Sequence, residues 1–219
     1  MPAMSNRRIS LAFTGASGMQ YGLRLLQYLL AAQMDVYLMV SKAARSVLAW
    51  ELDVRLPKHG KAVASYFAGQ FGARTDQLHV FGEQEWSAPV ASGSGAPHAM
   101  VVCPCSMGTL SAIAVGSSHN LITRAADVVL KEHRRLILVP RETPFSLIHL
   151  RNMMTLAELG AVVLPANPGF YHRPTSVQQV IDFIVARVLD QLDIAHDLGV
   201  RWGGPEGMND GDGDADAEG

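Results

Sequence analysis

The chain has 219 residues, of which 48% are hydrophobic, and this is enough for one well-packed domain. Its formal net charge is −2, but the segment Gly203–Gly219 carries six acidic residues and no basic one, so without them the charge of Met1–Trp202 is +4. A mildly basic body suits a small anionic ligand better than nucleic acid, which needs a larger basic excess. The Gly- and Asp-rich segment has little apolar surface to bury, so we expect one domain over residues 1–202 and a disordered tail over 203–219.

No run approaches the ~18 apolar residues of a membrane span, and the apolar run after Arg7 and Arg8 is too short for a signal peptide. We therefore expect a soluble, cytoplasmic protein with no membrane partner. Cys103 and Cys105 lie two residues apart in an apolar run, which is poor geometry for a disulfide and too few ligands for zinc. We interpret them as structural thiols. The histidines are scattered without ligand spacing, so no metal site is predicted.

Strand and helix patterns alternate along the chain and predict a three-layer, doubly wound α/β domain with a parallel sheet, of the Rossmann-like or flavodoxin-like kind. The predicted strands are Ile9–Phe13, Asp35–Val40, Gln77–Phe81, His98–Cys103, Leu136–Pro140 and Ala161–Leu164. The predicted helices are Met19–Ala32, Lys42–Glu51, Lys61–Phe71, Leu110–Val115, Asn120–His133, Phe145–Leu159 and Thr175–Leu192.

The segment Glu83–Pro97 is rich in Gly, Ser, Pro and Ala, and this composition predicts a mobile loop. Trp86 is its one large side chain. A tryptophan in such a loop serves either as a packing anchor or as a lid over a flat aromatic ligand.

The first predicted strand runs into the first helix through Thr14-Gly15-Ala16-Ser17-Gly18. A turn of this kind leaves backbone N–H groups unpaired at the positive end of a helix, which favours a phosphate or another anion. The spacing does not match G-x-G-x-x-G, so a dinucleotide fingerprint is not supported. The alternative is a tight turn that binds nothing.

A second turn of small and hydroxyl residues, Pro104–Thr109, follows the fourth predicted strand. In a doubly wound sheet both turns lie at the carboxyl ends of strands, where ligands bind. The Arg141–Glu142 turn and the loop carrying Tyr171 belong to the same edge. We expect four cations to converge there and to favour a phosphate or diphosphate; they are Arg124, Lys131, Arg141 and Arg187. Arg134 and Arg135 are instead interpreted as a solvated helix end.

Several blocks of the chain resemble the UbiX-type flavin prenyltransferases, and the resemblance covers most of Ile9–Leu192. The blocks are TGASGMQYGLRLL, SKAARSVLAWE, PCSMGT, ADVVLKEHRRLILVPRETP and PANPGFY, of which the last three are specific to that family. The family is part of a wider group of flavin-binding α/β proteins that includes the flavin-dependent cysteine decarboxylases.

The resemblance implies a transferase that joins a dimethylallyl group, from dimethylallyl monophosphate, to N5 and C6 of reduced FMN without net redox change. The prenylated FMN serves UbiD-type decarboxylases. The resemblance further implies catalysis without a metal, assembly as a dodecamer and active sites at subunit interfaces.

The resemblance also implies roles for individual residues. Those that would hold FMN are Gly15, Ala16, Ser17, Ser41, Ser106, Met107, Gly108, Thr109 and Arg141. Those that would hold the prenyl phosphate are Lys131, Arg141, Tyr171 and Arg187, with Arg124 coming from a neighbouring subunit. The implied catalytic residues are Ser17, Glu51, Trp86, Lys131 and Glu142. Among them, Glu142 and Ser17 would relay a proton to the phosphate, and Trp86 would offer a π face to a developing allyl cation.

Two alternatives stay open at this point. A cysteine-decarboxylase-type flavoenzyme on the same fold carries a PASANT-like block, whose Asn contacts the substrate carboxylate, and here Gly108 stands at the place of that Asn. This departure disfavours the decarboxylase. The other alternative is a flavin carrier or chaperone without turnover of its own.

Overall fold

The computed structural model describes residues 8–74 and 76–199. The predicted acidic tail, 203–219, lies outside the described residues. The strands are β1 (Arg8–Phe13), β2 (Asp35–Val40), β3 (Leu78–Phe81), β4 (Ala99–Cys105), β5 (Arg135–Pro140) and β6 (Val162–Val163). The helices are α1 (Met19–Ala31), α2 (Lys42–Leu52), α3 (Gly60–Phe71), α4 (Met107–Ala114), α5 (Leu121–Lys131), α6 (Leu147–Glu158) and α7 (Val177–Gln191).

The six strands form one sheet in the order β3-β2-β1-β4-β5-β6, and every pairing is parallel. This is the order of the doubly wound Rossmann sheet, so the predicted fold class is confirmed. The strand order reverses between β1 and β4, and ligands bind in the crevice outside the carboxyl ends of strands at such a point. No helix in the described ranges is long and apolar enough to cross a membrane.

Helices cover both faces of the sheet because alternate strand residues point to opposite sides. Ile9, Leu11 and Phe13 pack with α1, α2, α3 and α7 in one buried cluster. Ala12 packs on the other face, with α4, α5 and α6. Both faces of the central strands are therefore dry, as their continuous apolar sequences predict.

The expected mobile loop, Glu83–Pro97, is instead packed along α5. It contains two short 3₁₀ turns, Pro89–Ala91 and Gly93–Gly95, and the side chain of Val90 is fully buried. The N–H of Leu121 donates to the carbonyl of Glu83 at one end (2.7 Å), and the guanidinium of Arg134 donates to the carbonyl of Pro97 at the other (2.8 Å). The prediction of a mobile loop is wrong because composition does not reveal these long-range contacts.

Helix α1 begins with a cap that comes from another helix. Its N-cap residue, Gly18, has φ 100° and ψ 37°, a left-handed conformation that glycine adopts readily. The carboxylate of Glu51, near the end of α2, accepts the N–H of Gly18 (3.0 Å) and that of Met19 (3.0 Å). A negative charge at the positive end of α1 joins the two helices.

Replacing Glu51 with Ala is expected to lower the free energy of unfolding by about 1 kcal/mol, since α1 loses its capping acceptor. Glu51→Gln keeps one acceptor oxygen and should lose less. Urea unfolding followed by far-UV circular dichroism measures both effects. An Ala variant as stable as the wild type would show that the cap contributes nothing.

Among the described residues, one buried side-chain polar atom has no hydrogen-bond partner: Oγ of Ser10, in the centre of β1. Ser10 is fully buried and is paired with Tyr37 and Met100 on the neighbouring strands. A buried hydroxyl without a partner costs free energy. Ser10→Ala is therefore expected to stabilise the fold by about 1 kcal/mol.

The matched control for Ser10→Ala is Thr14→Val, because the Thr14 hydroxyl is equally buried but has two hydrogen-bond partners, each at 2.8 Å. Thr14→Val should destabilise the protein, so the two variants should shift the thermal midpoint in opposite directions. Destabilisation by both variants would contradict the account of Ser10.

Candidate functional site at the carboxyl edge

The candidate site lies where β1 and β4 end, and the buried side chain of Thr14 joins the two turns. Its hydroxyl donates to the carbonyl of Pro104 (2.8 Å) and accepts the N–H of Ser106 (2.8 Å). The N–H of Thr14 also donates to the Pro104 carbonyl, at 3.3 Å. The turn after β1 and the turn after β4 are thus fixed against each other. Sequence reasoning gave Thr14 no role, although a threonine directly after a buried strand was a usable signal.

The first turn is not the open anion site that its sequence predicts. Glu51 already accepts the N–H groups of Gly18 and Met19, so a carboxylate of the protein occupies the positive end of α1. For Gly18 and Met19 the expectation of unpaired N–H groups is wrong, because the cap comes from a residue more than thirty positions later. The turn instead offers a small surface, with Gly15 and Ser17 exposed.

Close packing against α2 requires glycine in this first turn. A Cβ atom on Gly15 would lie 2.5 Å from Cβ of Ala43, closer than two carbons can approach. Ser41, which precedes α2, is held by two hydrogen bonds. Its N–H donates to the carbonyl of Phe13, and its hydroxyl accepts the N–H of Ala44 (both 3.0 Å). The predicted flavin-binding residues of β1 and β2 therefore lie side by side.

The second turn opens α4 and leaves room for a ligand. Ser106 is the N-cap, and its hydroxyl accepts the N–H of Thr109 (3.3 Å) and contacts the Thr109 hydroxyl (3.0 Å). Met107 and Gly108 occupy the first two positions of the helix, where N–H groups have no partner within the helix. Gly108 is exposed, and a Cβ placed on it would meet no atom within 4 Å.

Arg141 extends across the end of β4 to the first turn. It follows β5, yet its Nε donates to the carbonyl of Ser17 at 3.3 Å. Its own N–H donates to the carbonyl of Cys105 at 3.4 Å. Glu142 is exposed beside it and accepts the N–H of Thr143 (3.1 Å). One edge of the sheet thus carries a hydroxyl, a guanidinium and a carboxylate.

Of the four cations expected at this edge, Arg141 lies there in its own chain. Lys131 is the last residue of α5, just before the start of β5, whose six residues separate the two edges of the sheet by roughly 16 Å. Its ammonium pairs with Glu132 at 2.6 Å and holds the pKa of that carboxyl below its ordinary value. Helix α5 returns the chain to the amino edge, so Lys131 does not join Arg141 within its own chain.

The two remaining cations are bound to other groups. Arg187 lies in the C-terminal half of α7, where its guanidinium pairs with Asp190 at 2.6 Å. Arg124, in the first turn of α5, donates to the carbonyl of Ala91 (3.0 Å) and pairs with Asp127 (2.8 Å). Both guanidinium groups thus have acidic partners in their own chain, and for Arg124 the resemblance implies a site in a neighbouring subunit.

Two aromatic side chains keep exposed surface in the segments that follow β3 and β6. Trp86 is 46% exposed on the short turn after β3, where the N–H of Leu121 binds the carbonyl of Glu83. Tyr171 is 44% exposed in the loop after β6, and its ring packs edge-on against Phe183 of α7 (5.9 Å between centroids). Their rings are thus available to a ligand or to another chain.

The two cysteines are free and fully buried in β4. Burial raises the pKa of Cys105 to about 12 and raises the pKa of Cys103 still further, so both are protonated thiols and not nucleophiles. This agrees with their interpretation as structural residues. In the part of the chain that the structure describes, no three His, Cys, Asp or Glu side chains are placed to hold a metal ion.

Comparison with known proteins agrees with this geometry. The family model described as Flavoprotein matches residues 2–189. The flavin prenyltransferase UbiX of Pseudomonas aeruginosa is 58% identical over 196 residues, which cover 90% of this chain and 94% of that protein.

Two solved structures of UbiX proteins have the same fold. The structure of AnUbiX (PadA1) in complex with FMN and dimethylallyl pyrophosphate has a TM-score of 0.81 and 40% identity, covering 91% of this chain and 98% of that one. A dodecameric FMN-dependent UbiX-like decarboxylase from Escherichia coli O157:H7 has a TM-score of 0.79 and 37% identity, covering 90% and 100%. The chain therefore belongs to the flavoprotein family and, within it, to the UbiX flavin prenyltransferases.

Proposed function

We propose that the protein joins a dimethylallyl group, taken from dimethylallyl monophosphate, to N5 and C6 of reduced FMN, giving prenylated FMN and phosphate. The observation that carries the proposal is the hydrogen bond from Arg141 to the carbonyl of Ser17, which joins the β5 turn to the β1 turn at the switch point of a flavin-type sheet. It gathers a phosphate-binding cation, a hydroxyl and a neighbouring carboxylate, which is what departure of a phosphate requires.

The residues at this edge fit FMN. A flat ring needs small residues, which Gly15, Ala16, Ser17 and Gly108 provide, and a phosphate tail needs free N–H groups, which the start of α4 offers. The hydroxyls of Ser41, Ser106 and Thr109 lie at the starts of α2 and α4 on the same edge. When bound in its reduced form, FMN supplies the nucleophilic N5 and C6 atoms.

The residues of this chain then bind, orient and transfer protons. The C–O bond of the prenyl phosphate would break and its electron pair leave with the phosphate. N5 and C6 would each gain a bond to carbon and lose a proton, one of which goes to the prenyl double bond and the other to the phosphate. Glu142 and Ser17 relay a proton to that phosphate, and Arg141 neutralises part of its charge. Trp86 offers a π face to the allyl cation, an interaction of about 1–2 kcal/mol when desolvated. Glu51 caps α1, and the resemblance to the family also implies a catalytic role for it.

The phosphate-binding set is completed by a second chain. Lys131 and Arg187 lie away from the carboxyl edge of their own chain, so we assign them, with Arg124, to the site of a neighbour. Helix α6 supports assembly, because it exposes an apolar face to solvent; its residues are Leu147, Ile148, Leu150 and Met154. The related Escherichia coli protein is a dodecamer, and we propose the same homo-oligomer here.

The prenylated FMN would serve a UbiD-type decarboxylase. The reaction would need no metal, and the protein would act in the cytoplasm. The donor is taken to be the monophosphate, although the AnUbiX structure holds the pyrophosphate.

Anaerobic incubation with reduced FMN and dimethylallyl monophosphate should increase the flavin mass by one isoprene unit (C5H8), as read by mass spectrometry. Dimethylallyl pyrophosphate in a parallel reaction tests the donor. An unchanged flavin with either donor would favour a flavin carrier. Decarboxylation of a cysteine-terminated peptide by the same sample would favour the decarboxylase.

Glu142→Gln should bind FMN with wild-type affinity but slow prenyl transfer by at least about 100-fold, the usual effect of losing a proton-transfer group. The matched control is Asp76→Asn, which removes a carboxylate that is 77% exposed and paired with Arg74. Turnover by Glu142→Gln at the rate of this control would refute the proton role.

Sharing of the site between chains can be tested by mixing inactive variants. Lys131→Ala and Arg141→Ala chains should each be inactive, whereas co-expression should restore about a quarter of the sites if the two residues come from different chains that assort at random. Turnover per flavin in the purified mixed oligomer measures this. Arg141→Ala mixed with Glu142→Gln is the control and should restore nothing, because both residues belong to one turn. No restoration in the first mixture would place Lys131 and Arg141 in one chain's site.

A further inference from the structure

Tyr21 lies directly beneath the turn that Arg141 binds. It is the third residue of α1, and its N–H donates to the carbonyl of Gly18 (3.1 Å). A Cβ atom on Gly18 would lie 2.9 Å from Cδ2 of Tyr21 and 3.9 Å from Cγ of Arg141. The phenol ring and the aliphatic stem of Arg141 therefore converge on the same face of Gly18.

A ring on the same side of the turn removes part of the space that the Arg141 side chain could occupy. This side chain is exposed and would sample many rotamers in the absence of a neighbour. The ring of Tyr21 is half-buried against the α1 face of the core and is thus a fixed surface. The Nε of Arg141 donates to the carbonyl of Ser17 on the same turn, so this hydrogen bond and the ring together limit the positions of the stem.

The electrostatics agree with this proximity. Burial raises the pKa of Tyr21 above its ordinary value, the Cys103 thiol adds to the increase, and the positive charge of Arg141 acts against it. The phenol is consequently neutral at physiological pH and stays close enough to Arg141 for the guanidinium charge to reach it.

We infer that Tyr21 is a positioning residue for the prenyl-transfer site: its ring holds the stem of Arg141, so that the guanidinium is set for the anionic ligand before that ligand arrives. The inference rests on the proposed function for the role of Arg141. It assigns no direct chemistry to Tyr21, whose part is to reduce the entropy that Arg141 loses when the ligand binds.

The ring and the hydroxyl of Tyr21 can be separated by substitution. Tyr21→Phe keeps the ring and should retain wild-type behaviour. Tyr21→Leu should raise the Kd for FMN, measured by quenching of flavin fluorescence, and the KM for dimethylallyl monophosphate by about tenfold each, with a smaller change in kcat. Tyr21→Ala should raise both constants further. If the Ala variant fails to fold, Tyr21→Leu still tests the inference.

A double-mutant cycle tests whether Tyr21 acts through Arg141. In an Arg141→Ala background, Tyr21→Leu should cause no further loss of FMN affinity, since the group that it positions is absent. The control is Tyr28→Leu on the same helix, whose ring lies 4.7 Å from the Arg24 guanidinium and which should leave FMN binding unchanged.

Three outcomes would overturn the inference: equal losses by Tyr21→Phe and Tyr21→Leu, an undiminished loss in the Arg141→Ala background, or unchanged FMN binding by Tyr21→Leu. The binding measurement needs no turnover. If FMN affinity falls from wild type and Tyr21→Phe to Tyr21→Leu and then to Tyr21→Ala, but no prenylated flavin is made, the role of Tyr21 is supported and the proposed function is refuted.

Discussion

The candidate site depends on the buried hydroxyl of Thr14. This single group accepts the N–H of Ser106 and donates to the carbonyl of Pro104, whose other bond is the longer one from the Thr14 N–H (3.3 Å). The sheet reverses its winding at this point, so a gap opens between helices that leave on opposite faces. A short side chain that joins the two turns across that gap keeps their exposed atoms at a fixed separation.

A second constraint is the capping of α1 by Glu51. An open helix start would attract any anion, including phosphate in the medium. With a carboxylate of the protein at that position, the first turn presents Gly15 and Ser17 rather than positive charge. The groups left to bind an anion are then the N–H groups at the start of α4 and the guanidinium of Arg141, whose hydrogen bonds are directional. Selectivity for a particular ligand is easier to obtain from such a group than from a helix dipole.

Local sequence patterns were sufficient for the sheet and its helices. Continuous apolar runs such as Asp35–Val40 are typical of strands buried on both faces, and this strand has the predicted bounds. The turns could be predicted for the same reason, since Thr14-Gly15 and Ser106 end such runs. Patterns of this kind depend on neighbours in sequence, and so they are readable without a structure.

The incorrect predictions concern features that depend on contacts between residues far apart in the sequence. Glu51 caps a helix that begins more than thirty residues earlier, and Glu83–Pro97 is ordered by α5 and Arg134. The position of Lys131 depends on which edge of the sheet α5 approaches, and residue type gives no information about that.

The separation of Arg141 from Lys131 has a consequence for folding and assembly. A fold that put all cations at one edge would have to confine like charges there without a ligand, and close pairs of like charges are unfavourable. In this chain Lys131 pairs with Glu132, Arg124 with Asp127 and Arg187 with Asp190, so each charge is balanced locally. Since these pairs are exposed or partly exposed, each contributes little stability, and an arriving phosphate can compete for the cation at small cost. Local pairing thus balances these charges in the single chain, and in the oligomer that we propose the same cations would serve a neighbouring site.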